Sequence, residues 1–155
     1  QDWNDINCSP ASHRDHEALS REVLRTLQGI PNKDWNRTFR KSVRPLNGQP
    51  LGCFLNLGLV KHPTAMGIPV ASKDTYKYVG LTKLLLRYFD ILARASGNTM
   101  LPEASTSIHI TKNMEAAMHR DGSNFGPSYI TAFSDDCRGG QTFVQDDEGD
   151  SVRRL

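Results

Sequence analysis

The stretch "SIHITKNMEAAMHRD", residues 107–121, marks a change in the chain from helical to extended patterns. Ile108 and Ile110 are apolar, and the residues next to them are polar. Successive side chains of a strand project to opposite faces, so this alternation predicts a half-buried strand. Asn113 then predicts a turn, and "EAAMHRD" predicts a second short strand that ends at Asp121.

Two more strands are predicted after Asp121. The segments "SYITAF" (128–133) and "GQTFVQ" (140–145) carry the β-branched and aromatic residues typical of strands. Turn-forming residues at 122–127 and 137–140 separate them. Strands joined by such short connections pair antiparallel.

The first hundred residues have a helical character. The stretch "SPASHRDHEALSREVLRTLQGI" (9–30) predicts a helix. Ser9 can cap it, Pro10 suits its first position, and Gly29 and Pro31 end it. A second helix is predicted from Ser72, as the cap, to about residue 95. It carries a broad apolar stripe that contains Leu81 and Tyr88.

The regions around these helices are predicted to hold one strand and two loops. "LGCFLNLGLV" (51–60) is apolar and predicts a buried strand, in which Gly52 and Gly58 indicate a bulge or a bend. "HPTAMGIPV" (62–70) predicts a loop. The polar segment 32–50 also predicts a loop, and its basic residues predict a solvated face or, alternatively, a phosphate-contacting patch.

Helices first and antiparallel strands later indicate the α+β class, with N-terminal helices packed on an antiparallel sheet or an incomplete barrel. We expect a single domain over 1–155, with a helical and loop part at 1–100 and a β-rich core at 101–150.

Composition excludes few classes of function. The formal net charge is +2, which permits nucleic acid as a partner but does not indicate it. No apolar run approaches about 20 residues, so no membrane span is predicted. Cys8, Cys53 and Cys137 form no CxxC pair, which argues against a disulfide framework and favours an intracellular, reducing compartment.

His119 and Asp121 are the candidate metal ligands. Residues i and i+2 of a strand project from one face, so this imidazole and this carboxylate can take adjacent positions around an octahedral metal. A charged surface turn is the alternative, because the same tripeptide recurs at residues 13–15. A kinase loop is rejected, since "GSNFGP" follows Asp121 and no DFG motif is present.

The segment from Ser105 to Gln145 resembles the core of the 2-oxoglutarate- and Fe(II)-dependent dioxygenases, most closely the TET/JBP-like branch that includes proteins of algae and protists. The resemblance lies in the order of the parts: an alternating strand, an asparagine, a strand that ends in HxD, a turn with "GPS", an apolar strand, and "GG" before the next strand. It extends over roughly residues 50 to 145.

The resemblance implies a double-stranded β-helix, or jelly-roll, with Fe(II) held at its mouth by His119 and Asp121. It also implies 2-oxoglutarate as co-substrate and hydroxylation of a C–H bond, with a methylated nucleobase as one candidate substrate that would leave its stack to be reached. This oxidoreductase activity is the first of two functions that we consider.

The sequence departs from the family pattern after Asp121. The family carries a second histidine ligand and then an arginine that pairs with 2-oxoglutarate, whereas residues 122–155 contain no histidine. Arg153 and Arg154 come too early for that arginine, and His109 lies on a strand where the family places no ligand. The second function is therefore a non-catalytic structural or binding subunit of a larger assembly, in which unpaired strand edges would favour association with other chains.

Overall fold

The computed structural model describes residues 10–38, 43–45, 52–62, 64, 67–95, 106–116, 129–135, 143–145 and 152–154. In this part of the chain, helices combine with antiparallel strand pairs, which confirms the α+β class. The chain divides into two compact units. The first comprises 1–36 and 54–111, and the second comprises 37–53 and 112–155.

Helix α1 spans Pro10–Gln28, as predicted. Proline suits the first position of a helix because its missing N–H would have no partner there. The N–H of Gly29 still bonds to the carbonyl of Arg25, at 3.1 Å, and the helix ends. Leu19 and Val23, one turn apart, are buried on the same face.

Strand β3, Gly52–Lys61, is the buried strand that the sequence predicted. Cys53, Leu55 and Leu57 alternate along it and are buried. It is paired with β1 (Asn36–Thr38), β4 (Pro69–Ala71) and β5 (Ser107–Lys112), so it is the central strand of this sheet.

Gly58 is the special position in β3. Its φ is +87°, a conformation that glycine adopts without strain. A Cβ at this position would overlap the carbonyl oxygen of Thr106, which accepts a hydrogen bond from the N–H of Leu59 at 2.8 Å. The predicted irregularity is therefore the place where the chain entering β5 approaches β3.

The predicted loop 62–70 is wrong at its end, because Pro69 and Val70 belong to β4. This strand pairs antiparallel with β3 in the register Leu59↔Ala71. Proline is tolerated at the first residue of an edge strand, where its missing N–H breaks no ladder bond.

The predicted helix 73–95 is interrupted at one residue. It consists of α2, Lys73–Lys77, and α3, Val79–Ala95. Tyr78 between them has φ −118° and ψ 49°, although its N–H still bonds to the carbonyl of Asp74 at 2.8 Å. The interruption is thus a local kink.

The core of the first unit is built from residues that α1, β3 and α3 contribute. Helix α1 packs against α3. The predicted apolar stripe of α3 supplies Leu81, Leu85 and Tyr88, all buried. Burial of each large apolar side chain contributes about 1.5–3 kcal/mol, which makes this face the main source of helix stability.

The second unit contains two strand pairs among its described residues. Strand β2, Val43–Pro45, pairs antiparallel with β6, Met114–Ala116. Strand β7, Phe143–Gln145, pairs antiparallel with β8, Val152–Arg154. The prediction of a strand at "GQTFVQ" is confirmed at Phe143–Gln145, and residues 140–142 lie outside the described residues. Strand β8 was not predicted.

Two other predictions are wrong in this part of the chain. The segment 32–50 is not a continuous loop, because it contains a 3-10 turn at Asn32–Asp34 as well as β1 and β2. In "SYITAF", the described residues from Tyr129 to Phe133 form no strand. Strand propensity is realised only where a neighbouring strand completes the ladder.

Candidate functional site

The predicted metal ligands His119 and Asp121 lie outside the described residues, as does the "GPS" turn that follows them. The chain that leads to them is described as far as Ala116. That these two side chains bind one metal ion therefore remains a prediction.

The chain that leads to His119 has the predicted order of strand, turn and strand as far as Ala116. Residues of β5 alternate between exposed and part-buried, with Ile108 and Ile110 on the part-buried side. Asn113 then has φ +50°, a conformation that asparagine tolerates better than most residues. Strand β6 begins at Met114 and ends, in the described part, at Ala116, three residues before His119.

The three histidines whose side chains the structure describes each have a hydrogen-bond partner. His16 Nε2 lies 3.1 Å from the hydroxyl of Tyr88, and His62 Nδ1 accepts from the N–H of Thr64 at 3.2 Å. His109 Nδ1 lies 2.5 Å from Asn56 Oδ1, on the exposed side of β5. Among the described residues, no three His, Cys, Asp or Glu side chains are grouped in a way that could hold a metal.

A polar cluster links β3 to the start of α2. Ser72 caps α2, as predicted: its Oγ accepts from the N–H of Thr75 at 3.1 Å and donates to the carbonyl of Asn56. Thr75 Oγ1 accepts from the N–H of Gly58 at 2.7 Å. Two side chains thus satisfy main-chain groups at the bend in β3.

The carboxylate of Asp74 is the central acceptor of this cluster. Its side chain is buried. Its Oδ2 accepts from Asn36 Nδ2 at 2.7 Å and from the N–H of Asn56 at 3.1 Å. A buried carboxylate is stable only with such donors, so Asp74 joins α2 to β3 and to the residue at the start of β1.

A cleft of about 200 Å³ opens beside Asp74. Seven residues line it: Lys33, Asp34, Trp35, Asn36, Lys73, Asp74 and Lys77. All of them belong to the first compact unit.

Asp34 and Lys77, which both line the cleft, form an ion pair. Lys77 Nζ lies 2.6 Å from Asp34 Oδ1, and the hydroxyl of Tyr78 donates to Asp34 Oδ2 at 2.9 Å. The hydrogen bond from Lys77, and then that from Tyr78, holds the pKa of Asp34 below its ordinary value. The hydrogen bond between Lys77 and Asp34 also raises the pKa of Lys77, and burial raises the pKa of the Tyr78 hydroxyl.

Sequence reasoning missed Asp34, Asn36, Asn56 and Asp74. The sequence held one indication of Asp74, because Ser72 is predicted to cap a helix and Asp74 lies in the first turn after that cap. The basic residues between 33 and 44 were predicted to form a solvated face or, alternatively, a phosphate-contacting patch, and they are only partly described. Lys33 and Arg37 are exposed, and Arg37 Nη1 donates to the sulfur of Cys53. Cys53 is a buried thiol.

Comparison of the chain with protein-family models, with curated proteins and with solved structures found no match. Within the residues that the structure describes, none of the helices has the length and apolar character that crossing a membrane requires.

Proposed function

We propose that the chain carries the core of a 2-oxoglutarate- and Fe(II)-dependent dioxygenase in which His119 and Asp121 are iron ligands. The observation that carries this proposal is the segment leading to them: an alternating strand, a left-handed Asn113 and the start of a second strand at Met114. This is the order of elements that precedes HxD in the family.

The two side chains have complementary roles in this proposal. If β6 continues past Ala116 as an extended chain, His119 and Asp121 project from the same face, and Arg120 from the other. A neutral imidazole and a carboxylate are the ligand types of the facial triad used by non-haem iron oxygenases. The third ligand of that triad would be a second histidine.

Bound iron and 2-oxoglutarate would supply one balanced reaction. Dioxygen and 2-oxoglutarate are consumed, succinate and carbon dioxide are released, and one oxygen atom is inserted into a C–H bond of the substrate as a hydroxyl group. The proposed fold is a double-stranded β-helix, supported by the antiparallel pairs β2–β6 and β7–β8. A methylated nucleobase is the proposed substrate class, which rests on the resemblance alone.

The test is turnover by the full-length gene product. We expect succinate to form from 2-oxoglutarate when Fe(II) is present, and His119→Ala or Asp121→Ala to abolish it. The variant His13→Ala/Asp15→Ala is the matched control, since it removes the other HRD sequence and leaves the proposed site intact. Succinate formation that is unchanged in His119→Ala would refute the proposal.

A second candidate is a non-catalytic subunit of a larger assembly. Tyr129 and Ile130 favour it, because these adjacent apolar side chains are 39% and 73% exposed. Exposed apolar residues of this kind are typical of surfaces that contact another chain. In this case we expect the protein to be isolated in a stable complex with another protein chain, and Ile130→Ser to weaken that complex. We also expect no turnover of 2-oxoglutarate.

A further inference from the structure

We propose that the outer face of α2 and α3 adsorbs to an anionic lipid surface. We define this outer face by six exposed residues: Lys73, Tyr76, Val79, Lys83, Leu86 and Arg87. The inference is independent of the iron site and concerns only the first compact unit.

The outer face follows from the helical repeat. Val79, Lys83 and Leu86 are spaced at i, i+4 and i+7, so they lie along one side of α3. This is not the side that supplies the buried residues Leu81 and Leu85. Helix α1 packs against α3, where His16 contacts the buried Tyr88, whereas the six residues of the outer face are exposed.

Apolar side chains on the outer face are unusually exposed. Tyr76 is 73% exposed, Val79 48% and Leu86 42%. Val79 and Leu86 are seven residues apart, close to two turns of α3, and Tyr76 precedes them on α2, on the other side of the interruption at Tyr78. Single exposed apolar residues need no explanation, but two along one side of α3, with a third on α2, make a larger exposed apolar area.

The charged residues among the six that define the outer face are all cations. In residues 73–89, the one acidic residue is Asp74, which is buried and hydrogen-bonded to Asn36. Lys73, Lys83 and Arg87 are exposed and flank the apolar residues. Asp90 lies one turn after Leu86 on the same side of α3, and its carboxylate is paired with Arg94.

An anionic bilayer fits this combination better than a protein partner. Lys and Arg near such a surface are attracted to its negative potential, while Tyr and Leu bury their apolar parts at the headgroup level. Protein hot spots are instead large side chains held in well-packed pockets. On α3, in the part of the chain that the structure describes, the apolar residues stand on a convex helix surface.

The test is flotation of the whole chain with phosphatidylcholine vesicles that contain about 30% phosphatidylserine. We expect binding that falls steeply as salt is added, because the attraction is electrostatic. The double variant Lys83→Glu/Arg87→Glu should bind at least about 20-fold more weakly, since each cation contributes about fivefold. Neutral phosphatidylcholine vesicles should bind little.

Two matched controls separate a specific face from general charge. Arg25→Glu/Lys61→Glu changes the net charge equally at exposed positions on α1 and β3, and should keep most of the binding. Leu86→Ser should weaken binding more than Ile68→Ser, whose side chain is 56% exposed outside the outer face. Equal losses in both charge variants would overturn the proposal. So would preference for a single-stranded oligonucleotide over vesicles, or no binding to anionic vesicles at all.

Discussion

The buried carboxylate of Asp74 and the exposed imidazole of His109 contact the same residue, Asn56. The main-chain N–H of Asn56 donates to Asp74 Oδ2 at 3.1 Å, and its Oδ1 lies 2.5 Å from His109 Nδ1. Asn56 thereby joins the central strand to the start of α2 on one side and to β5 on the other. All of these contacts lie within the first compact unit.

Removal of the Asp74 carboxylate should destabilise the protein strongly. Asp74→Ala leaves the side-chain amide of Asn36 and the N–H of Asn56 without their acceptor, so we expect the free energy of unfolding to fall by about 2–4 kcal/mol. Urea unfolding measures this change. Asp90→Ala is the control, because it breaks an exposed pair with Arg94 and should cost less than about 0.5 kcal/mol. Similar losses in the two variants would contradict the assigned role of Asp74.

Gly58 and Gly80 should respond in opposite directions to alanine. Gly58→Ala should cost about 2 kcal/mol or more, because its φ is +87° and the added methyl group meets the carbonyl of Thr106. Gly80→Ala places a methyl group in open space on α3, so it should stabilise the fold by up to about 1 kcal/mol. Thermal unfolding of both variants tests this, and a neutral Gly58→Ala would show that β5 does not approach β3 as described.

The free energy of unfolding should depend on pH through the ion pair between Asp34 and Lys77. The pKa of Asp34 is lower in the folded protein than its ordinary 3.8, so the resulting stability is present above that value and is lost as pH falls through the folded pKa. The pKa of Lys77 is raised, so its contribution is present below 10.5 and is lost as pH rises through the folded pKa.

The titration of the Asp34 carboxyl group can be followed by NMR. Lys77→Met should return its pKa most of the way towards 3.8, and Tyr78→Phe should do so to a smaller extent, in the order of their effects. Lys73→Met is the control, since Lys73 lines the same cleft and is not among the causes of the shift. A carboxyl pKa that does not move in Lys77→Met would contradict the ion pair.

Local patterns predicted the elements that depend on local chemistry. Pro10 and Gly29 mark the two ends of α1, and Ser72 caps α2. The alternation of Ile108 and Ile110 with polar residues predicted β5. Each of these follows from a helix end or a strand period that the residues themselves determine.

Elements that depend on distant partners were not predictable in the same way. Strand β8 exists by pairing Arg154 with Phe143, and β4 by pairing Ala71 with Leu59. "SYITAF" has the composition of a strand, yet its described residues form none. The cluster around Asp74 shows the same limit: the cap at Ser72 indicated that Asp74 lies in the first turn of a helix, but its partners Asn36 and Asn56 reach the carboxylate only through folding.

The most direct test of the central claim is metal binding at His119 and Asp121. Mn(II) can replace Fe(II) as a paramagnetic probe, and it broadens NMR signals of nearby residues even when it binds weakly. We expect it to broaden the backbone signals of residues 117–122, and His119→Ala/Asp121→Ala to remove that effect while His13→Ala/Asp15→Ala retains it. Broadening that persists in His119→Ala/Asp121→Ala, or that is centred on the acidic segment "DDEGD" at 146–150, would contradict the account.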